Sequence, residues 1–238
     1  MILHNASEDV LKKYQAVVLL GEMPDDDGFA KRLEAFVRSG RTVILCTRQM
    51  TGDIADLAGV NITESGLTSS TSRCLVTAKS FRENEYAYDH VDPDGAEVLA
   101  ENDEGHPLVC VNQVGEGRVF VITPAVWANG KRPDYVWHKR DDLPWDMSYR
   151  NDFFKGRPLP PVNFLKVVQK IIGSVLESCS LIKVKGRPIQ WIVNVTDDPR
   201  KILVTLINNG EAPWEGTVKV KGQNIESCLE WLSLSLIH

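Results

Sequence analysis

The chain has 238 residues, 43% of them hydrophobic and 25% charged, with a formal net charge of -5; this is the balance of a globular protein that can bury a large core without disulfides. The acidic balance and the lack of a basic stripe argue against nucleic acid as a partner, and no run of about 18 apolar residues offers a membrane span. Cys46, Cys74, Cys110, Cys179 and Cys228 are widely spaced, odd in number and form no Cys-x-x-Cys pair, so neither a zinc site nor a disulfide framework is indicated and reduced thiols are expected.

The start, MILHNASEDVLKKY, has no basic segment leading into a long apolar run, so no signal peptide is read there and a cytoplasmic location is expected. SEDVLKKY reads as a short helix capped by Ser7, with Glu8 and Asp9 placed to favour the helix dipole. AVVLL, 16 to 20, is an apolar run too short for a helix and fits a strand buried on both faces. Past the acidic turn EMPDDDG, Phe29, Leu33, Phe36 and Val37 fall on one helical stripe that Gly40 stops. TVILC, 42 to 46, is the next buried strand, which completes a strand, helix, strand unit of a parallel sheet.

Residues 51 to 105 are weaker in pattern: a short helix is predicted at GDIADLAG, and ESGLTSSTSR reads as a polar loop. PLVCVNQVGEGRVFVITP is a hairpin in pattern, with strands 107 to 114 and 118 to 123 around a turn at Gly115 to Gly117. The irregular segment 124 to 160 carries Trp127, Tyr135, Trp137, Trp145 and Tyr149 among charges and prolines; loops of that length are usually functional, interfacial or disordered. PPVNFLKVVQKIIGSVLES, 160 to 178, is an amphipathic helix with Phe164, Val167, Val168, Ile171, Ile172, Val175 and Leu176 on one side. From IKVKG onward the period changes to apolar/polar alternation around turns at KGRP, DDPR and NNGEAP, the pattern of an antiparallel β module. The organisation expected is an α/β domain over 1–178 and a small β-sandwich-like module, incomplete in pattern, over 179–238.

Taken together, LKKYQAVVLLGE, LEAFVRSGRTVILCTRQMTGDIADLAGVNITE and GAEVLAENDEGHPLVCVNQVGEGRVFVIT resemble the trimerisation domain of glycoside hydrolase family 42 β-galactosidases. That domain is a degenerate relative of the class I glutamine amidotransferase fold. The resemblance implies a flavodoxin-like, amidotransferase-like parallel sheet flanked by helices, followed by a small antiparallel module. It also implies a non-catalytic accessory or assembly role, with a homo-oligomer (trimer or dimer) or a glycosidase barrel as partner. The family's two catalytic carboxylates belong to its barrel, which this sequence lacks, so none carries over. The family domain begins with an extra strand and helix ahead of YQAVVLL, so the chain reads as trimmed or reduced at its start.

Three clusters bear on chemistry. Cys46 stands at the carboxyl end of a strand, where the resemblance would place an amidotransferase nucleophile. Such a thiol needs a strained elbow relieved by small residues, but its neighbours are Leu45 and Thr47, with Ile44 and Arg48 beyond, and no His-x-Glu pair occurs in the sequence. A buried apolar role is the commoner fate of such a cysteine. Arg48 and Thr47 are candidates to line a polar cleft. The loop WANGKRPDYVWHKRDDLPW offers Trp127, Arg132, Tyr135, Trp137 and Trp145 as candidates either for stacking on a carbohydrate or for an interface. Asp25, Asp26 and Asp27, like Asp197 and Asp198, read as solvated turns rather than metal ligands. No metal and no cofactor are expected. The alternatives to the accessory role are a stand-alone carbohydrate-binding module using residues 124–150 and an amidotransferase-like enzyme using Cys46.

Overall fold

A computed structural model describes residues 6–19, 27–124, 128–129, 163–187, 189–195, 198, 201–208 and 213–221. By internal contacts the chain divides into two units, Met1–Leu176 and Glu177–His238.

The first unit is an α/β fold built on a seven-stranded sheet. Its strands are β1 (Ala16–Val18), β2 (Thr42–Cys46), β3 (Val60–Cys74), β4 (Lys79–Pro93), β5 (Glu97–Glu101), β6 (Pro107–Val114) and β7 (Gly117–Ile122), in the order β1-β2-β7-β6-β5-β3-β4. Only β1, β2 and β7 are mutually parallel; β6, β5, β3 and β4 continue the sheet antiparallel. The helices are α1 (Glu8–Leu11), α2 (Asp27–Arg38), α3 (Asp53–Ala58) and α4 (Lys166–Cys179), with a single 3-10 turn at Thr47–Gln49. A short ladder joins β8 (Ala128–Asn129) to β9 (Asn163–Phe164).

The alternation of strand side chains sorts the core into two layers. Val43 and Leu45 of β2 and Val119 and Val121 of β7 pack with Phe29, Leu33, Phe36 and Val37 of α2 and Ile54 and Leu57 of α3. Ile44, Cys46, Phe120 and Ile122 point the other way, onto Val167, Val168, Ile171 and Ile172 of α4. The apolar stripes expected on α2 and α4 are therefore the faces that seal the sheet. Ser7 stands at the N-cap of α1, but its hydroxyl makes no capping bond; its carbonyl accepts from Val10 and Leu11 instead. Helix α4 starts at Lys166, where Glu83 Oε1 accepts the Lys166 N–H at 2.9 Å; Phe164 precedes the helix in β9.

Two glycines fix close approaches. A Cβ at Gly117 would lie 2.1 Å from Val37 O and 2.2 Å from Arg41 O, so the β6–β7 turn can seat against the α2–β2 connection only without a side chain. Gly59 ends α3 at φ +64°, and a Cβ there would meet Asn112 Cγ at 2.5 Å; the Asn112 amide donates to Leu57 O at 3.0 Å.

The expected loop at ESGLTSSTSR is instead part of β3, which pairs with β4 over almost its whole length. Most of β3 is exposed, so no apolar alternation marks it. Serine and threonine on both faces look like loop by polarity, while the β-branched threonines suit a strand.

The second unit contains two separate antiparallel pairs among its described residues. β10 (Ile182–Gly186) pairs with β13 (Gly216–Val220), and β11 (Gln190–Val195) with β12 (Ile202–Ile207). Among the described residues, no helix is long and apolar enough to cross a membrane.

Candidate functional site at the carboxyl edge of the sheet

Strands β1, β2 and β7 end at one edge, where α/β sheets most often hold ligands. Because β6 runs back against β7, Pro107 returns to the same edge. Thr123 closes the join by donating its N–H to Leu108 O (3.1 Å) and its hydroxyl to Pro107 O (2.8 Å). The β5–β6 turn, residues 102–106, lies there too.

The β3–β4 hairpin crosses this edge. Near its start, Val60 and Val91 belong to the α2–α3 layer, whereas Cys74, Tyr86 and Tyr88 belong to the α4 layer. Between them stands Asp89. Its Oδ2 accepts the Thr47 hydroxyl at 2.5 Å, its Oδ1 accepts the Gly66 N–H at 3.3 Å, and its own N–H donates to Thr123 O at 3.1 Å. Tyr88 forms an isolated bridge to Pro124. Three register shifts along β3, between Ile62 and Glu64, Glu64 and Leu67, and Ser69 and Thr71, mark where the ladder departs from regular pairing. The hairpin is thus a strap laid over the ends of β2 and β7.

Under the strap, Cys46 is 6% exposed and lies in the α4 core layer. Its backbone is extended (φ -101°, ψ 165°), and its N–H donates to Gln49 Oε1 at 2.9 Å as the chain enters the 3-10 turn. That is a relaxed strand end, not the strained elbow that exposes a nucleophile. Among the described residues the one non-glycine with positive φ is Ala78, in the β3–β4 turn. Arg48 is exposed and points away from this core. Trp127, Arg132, Tyr135, Trp137 and Trp145 lie outside the described residues.

Beside Cys46 the edge carries a polar network that lies outside the three clusters named from the sequence. Asn102, almost wholly buried, accepts the N–H groups of Glu104 (3.0 Å) and His106 (2.9 Å) on Oδ1 and donates from Nδ2 to the Tyr88 hydroxyl at 3.0 Å. The same hydroxyl lies 2.7 Å from His106 Nδ1 and donates to Glu104 Oε2 at 3.4 Å. The His90 ring stacks on His106 with centroids 4.0 Å apart and 18° between planes. Two sequence signals mark the network: Tyr86, Tyr88 and His90 recur every second residue, which puts them on one face of a strand, and NDEGHP has the makings of an Asx turn.

This network holds a turn rather than an acid–base pair. Burial above all pushes the Tyr88 phenol up from its ordinary value and the neighbouring Tyr86 up to about 12. Both phenols therefore stay neutral near pH 7 and serve as hydrogen-bond donors and acceptors. Burial likewise raises the Cys110 thiol to about 12, which leaves it unreactive. Among the described residues, no group of three His, Cys, Asp or Glu side chains converges to hold a metal ion.

No protein-family model matches the chain, and no curated protein does. The class of solved structure it is similar to includes family 42 β-galactosidases and other glycosidases. Among them is Gan42B, a GH42 β-galactosidase from G. stearothermophilus, at 15% identity over 77% of this chain and 25% of that one, with a TM-score of 0.43. The exo-β-1,4-mannosidase Op5Man5 from Opitutaceae bacterium strain TAV5 matches at 18% identity over 46% of this chain and 20% of that one, TM-score 0.37. A putative ThuA-like protein from Bacteroides uniformis matches at 11% identity over 51% and 64%, TM-score 0.41. This chain spans a quarter or less of the two glycosidases. Likenesses at this level carry no argument about activity, which rests on the residues themselves.

Proposed function

We propose that the chain is a non-catalytic assembly unit of the kind that accompanies carbohydrate-active enzymes, akin to the trimerisation domain of family 42 β-galactosidases. The observation that carries this reading is the strap. The sheet edge where an amidotransferase-like fold would open its active site is crossed by the chain's own β3–β4 hairpin, tied at Thr47 and Thr123 through Asp89. Cys46 beneath it is a core residue with relaxed backbone. An edge closed in this way offers no nucleophile to a substrate, and the unit's remaining use is surface: contact with further copies of itself or with a glycosidase barrel.

The test is iodoacetamide labelling of the folded chain near neutral pH, read cysteine by cysteine by mass spectrometry, together with the mass in solution by sedimentation. Cys46 is expected to stay unlabelled on a timescale that modifies the half-buried Cys179, and the sedimenting species is expected to be a multiple of the chain. A Cys46 that labels as fast as Cys179 overturns the non-catalytic reading; a monomer overturns self-assembly and leaves a barrel as the partner to seek.

A further inference from the structure

Strands β10 and β13 build a ladder with two unlike faces. The register sets Ile182 opposite Val220, Lys183 opposite Lys219, Val184 opposite Val218, Lys185 opposite Thr217 and Gly186 opposite Gly216. Directly opposed residues share a face and successive pairs alternate, so the apolar residues and glycines lie on one side and the lysines on the other. The Lys221 N–H donates to Leu181 O at 2.9 Å, which carries the ladder one step further and adds Lys221 to the lysine side. The apolar side has its own cover at one end: a Cβ at Gly216 would lie 2.2 Å from the Trp214 ring, whose indole N–H donates to Arg187 O at 2.8 Å.

The lysine side is short of carboxylates. Glu177 meets it, with its side chain paired to Lys183 and its carbonyl accepting from Lys221 Nζ. The hydrogen bond and charge of Lys183, and then the charges of Lys221 and Lys185, hold the Glu177 carboxyl below its ordinary range. Lys185 and Lys219 are exposed and form no ion pair among the described residues. Past the last pair, Arg187 and Glu215 add one charge of each sign.

This arrangement works against the ladder that carries it. Lys183 and Lys219 are directly opposed, where Cβ atoms stand about 5 Å apart and like charges disfavour pairing; lysines two apart along one strand are roughly 7 Å from each other. Charged side chains on an open strand guard against stray strand pairing, but mixed signs would guard equally well and attract across the ladder. Local conflicts of this kind are what proteins keep at functional surfaces.

The chemistry of the partner follows from how charge is divided. The chain has 27 Lys and Arg against 32 Asp and Glu. Glu177–His238 holds seven of each, so the whole net charge of -5 resides in Met1–Leu176. A nucleic acid or other polyanion would be drawn to the lysines and repelled by the rest of the same chain. A second copy brings an acidic first unit to the lysine face and offers its own lysine face in turn. Ammonium groups on flexible stems can pair with carboxylates there without a fixed fork geometry.

We infer that the lysine face of the second unit, formed by Lys183, Lys185, Lys219 and Lys221, docks on the acidic first unit of another copy of this chain. The two surfaces differ, so the contact is heterologous: it builds a ring where the rotation closes and an open row of copies where it does not. The inference rests on the self-assembly reading above and gives that assembly a face and a sign.

The experiment is sedimentation velocity of the full chain in about 0.1 M and about 1 M sodium chloride, where the screening length is about 10 Å and about 3 Å. The parent is expected to associate at the lower salt and about tenfold or more weakly at the higher. The Lys185→Glu, Lys219→Glu double variant reverses the two lysines that hold no other group. A glutamate at 219 faces Lys183, an opposite-charge pair that favours the ladder, and far-UV circular dichroism verifies that the variant folds. Alone at the lower salt, the variant is expected to sediment as a monomer. Carrying a fluorescent label, it is expected to co-sediment with excess unlabelled parent, because its first unit is unchanged and still accepts a parent's lysine face. The inference is overturned if the variant associates as tightly as the parent, if salt leaves the parent's association unchanged, or if the labelled variant stays apart from the parent. The first of these outcomes leaves self-assembly standing through another surface and so removes this inference alone, whereas a parent that is monomeric at the lower salt removes both.

Discussion

Strand β2 in the first unit and strand β12 in the second are both apolar in sequence, TVILC and ILVTLI, yet they meet solvent very differently. All five residues of β2 are buried between two helix layers. None of the six residues of β12 is buried, and its partner β11 leaves Trp191 40% and Ile192 51% exposed. In the β11–β12 ladder Trp191 faces Leu206 and Val193 faces Val204, so one face is apolar throughout. A two-stranded ladder has nothing of its own to lay over such a face, and it is marginal as an independent structure. Apolar sequence therefore makes a core only where a second layer comes with it.

That contrast is open to attack from both ends. The largest loss is expected in the first unit. Ile44→Ala removes a side chain shared by the sheet and α4 and should cost about 3 kcal/mol. Gly117→Ala forces a Cβ into two backbone carbonyls and should cost a similar amount, roughly 3 kcal/mol. Both are measured by urea unfolding followed by circular dichroism. A change below about 1 kcal/mol for either would mean that the sheet relaxes around the site far more than its packing implies. Asp89→Ala should come next, at about 2 kcal/mol, because it removes hydrogen bonds to a carboxylate and leaves Thr47 and Gly66 without their acceptor. It should also speed iodoacetamide labelling of Cys46, a readout that a general loss of stability without strap release would not give below the unfolding transition.

A smaller effect is expected with pH. Tyr86 and Cys110 have folded pKa values of about 12 against ordinary values of 10.0 and 9.0. The folded chain keeps protons there that the unfolded chain gives up. Their contribution is complete below pH 9 and is lost as pH rises from 9 through 12. Unfolding midpoints should fall across that window, and less steeply in the Tyr86→Phe, Cys110→Ala double variant; an equal slope in parent and variant would remove these two groups as the cause. The smallest effect belongs to the second unit, where Ile192→Ser is expected to stay within about 0.5 kcal/mol because half of that side chain is already in water. A loss above about 2 kcal/mol there would show that the Ile192–Thr205 face of the ladder, opposite the Trp191–Val193 face, is covered in solution, for instance by another copy of the chain.

Much of the first unit is legible in its sequence because its elements have two-sided burial. The Phe29, Leu33, Phe36, Val37 stripe, the TVILC run and the hairpin around Gly115 to Gly117 each carry an apolar signal with its own period, and each forms the element it predicts. The strap is illegible for the same reason in reverse. Thr68 to Ser72 alternate nothing, since the hairpin is held by backbone pairing and by Asp89, whose partner Thr47 lies 42 residues earlier in the chain. The polar network is half legible: Tyr86, Tyr88 and His90 share a strand face by spacing, but Asn102, Glu104 and His106 join them only through the sheet order. Cys46 stood out by position in the chain, and its backbone conformation, which decides its chemistry, is written in no local motif.

The strap has a thermodynamic consequence of its own. A sheet with a helix layer on each side contains two oily compartments that share only a backbone, and they can in principle melt one after the other. Here one hairpin contributes Val60 and Val91 to the first compartment and Cys74, Tyr86 and Tyr88 to the second. Neither compartment can lose its packing without pulling on side chains that belong to the other. The hairpin is the coupling that makes the unit melt as one, and calorimetry of the first unit should register a single heat-absorption peak whose van't Hoff and calorimetric enthalpies agree.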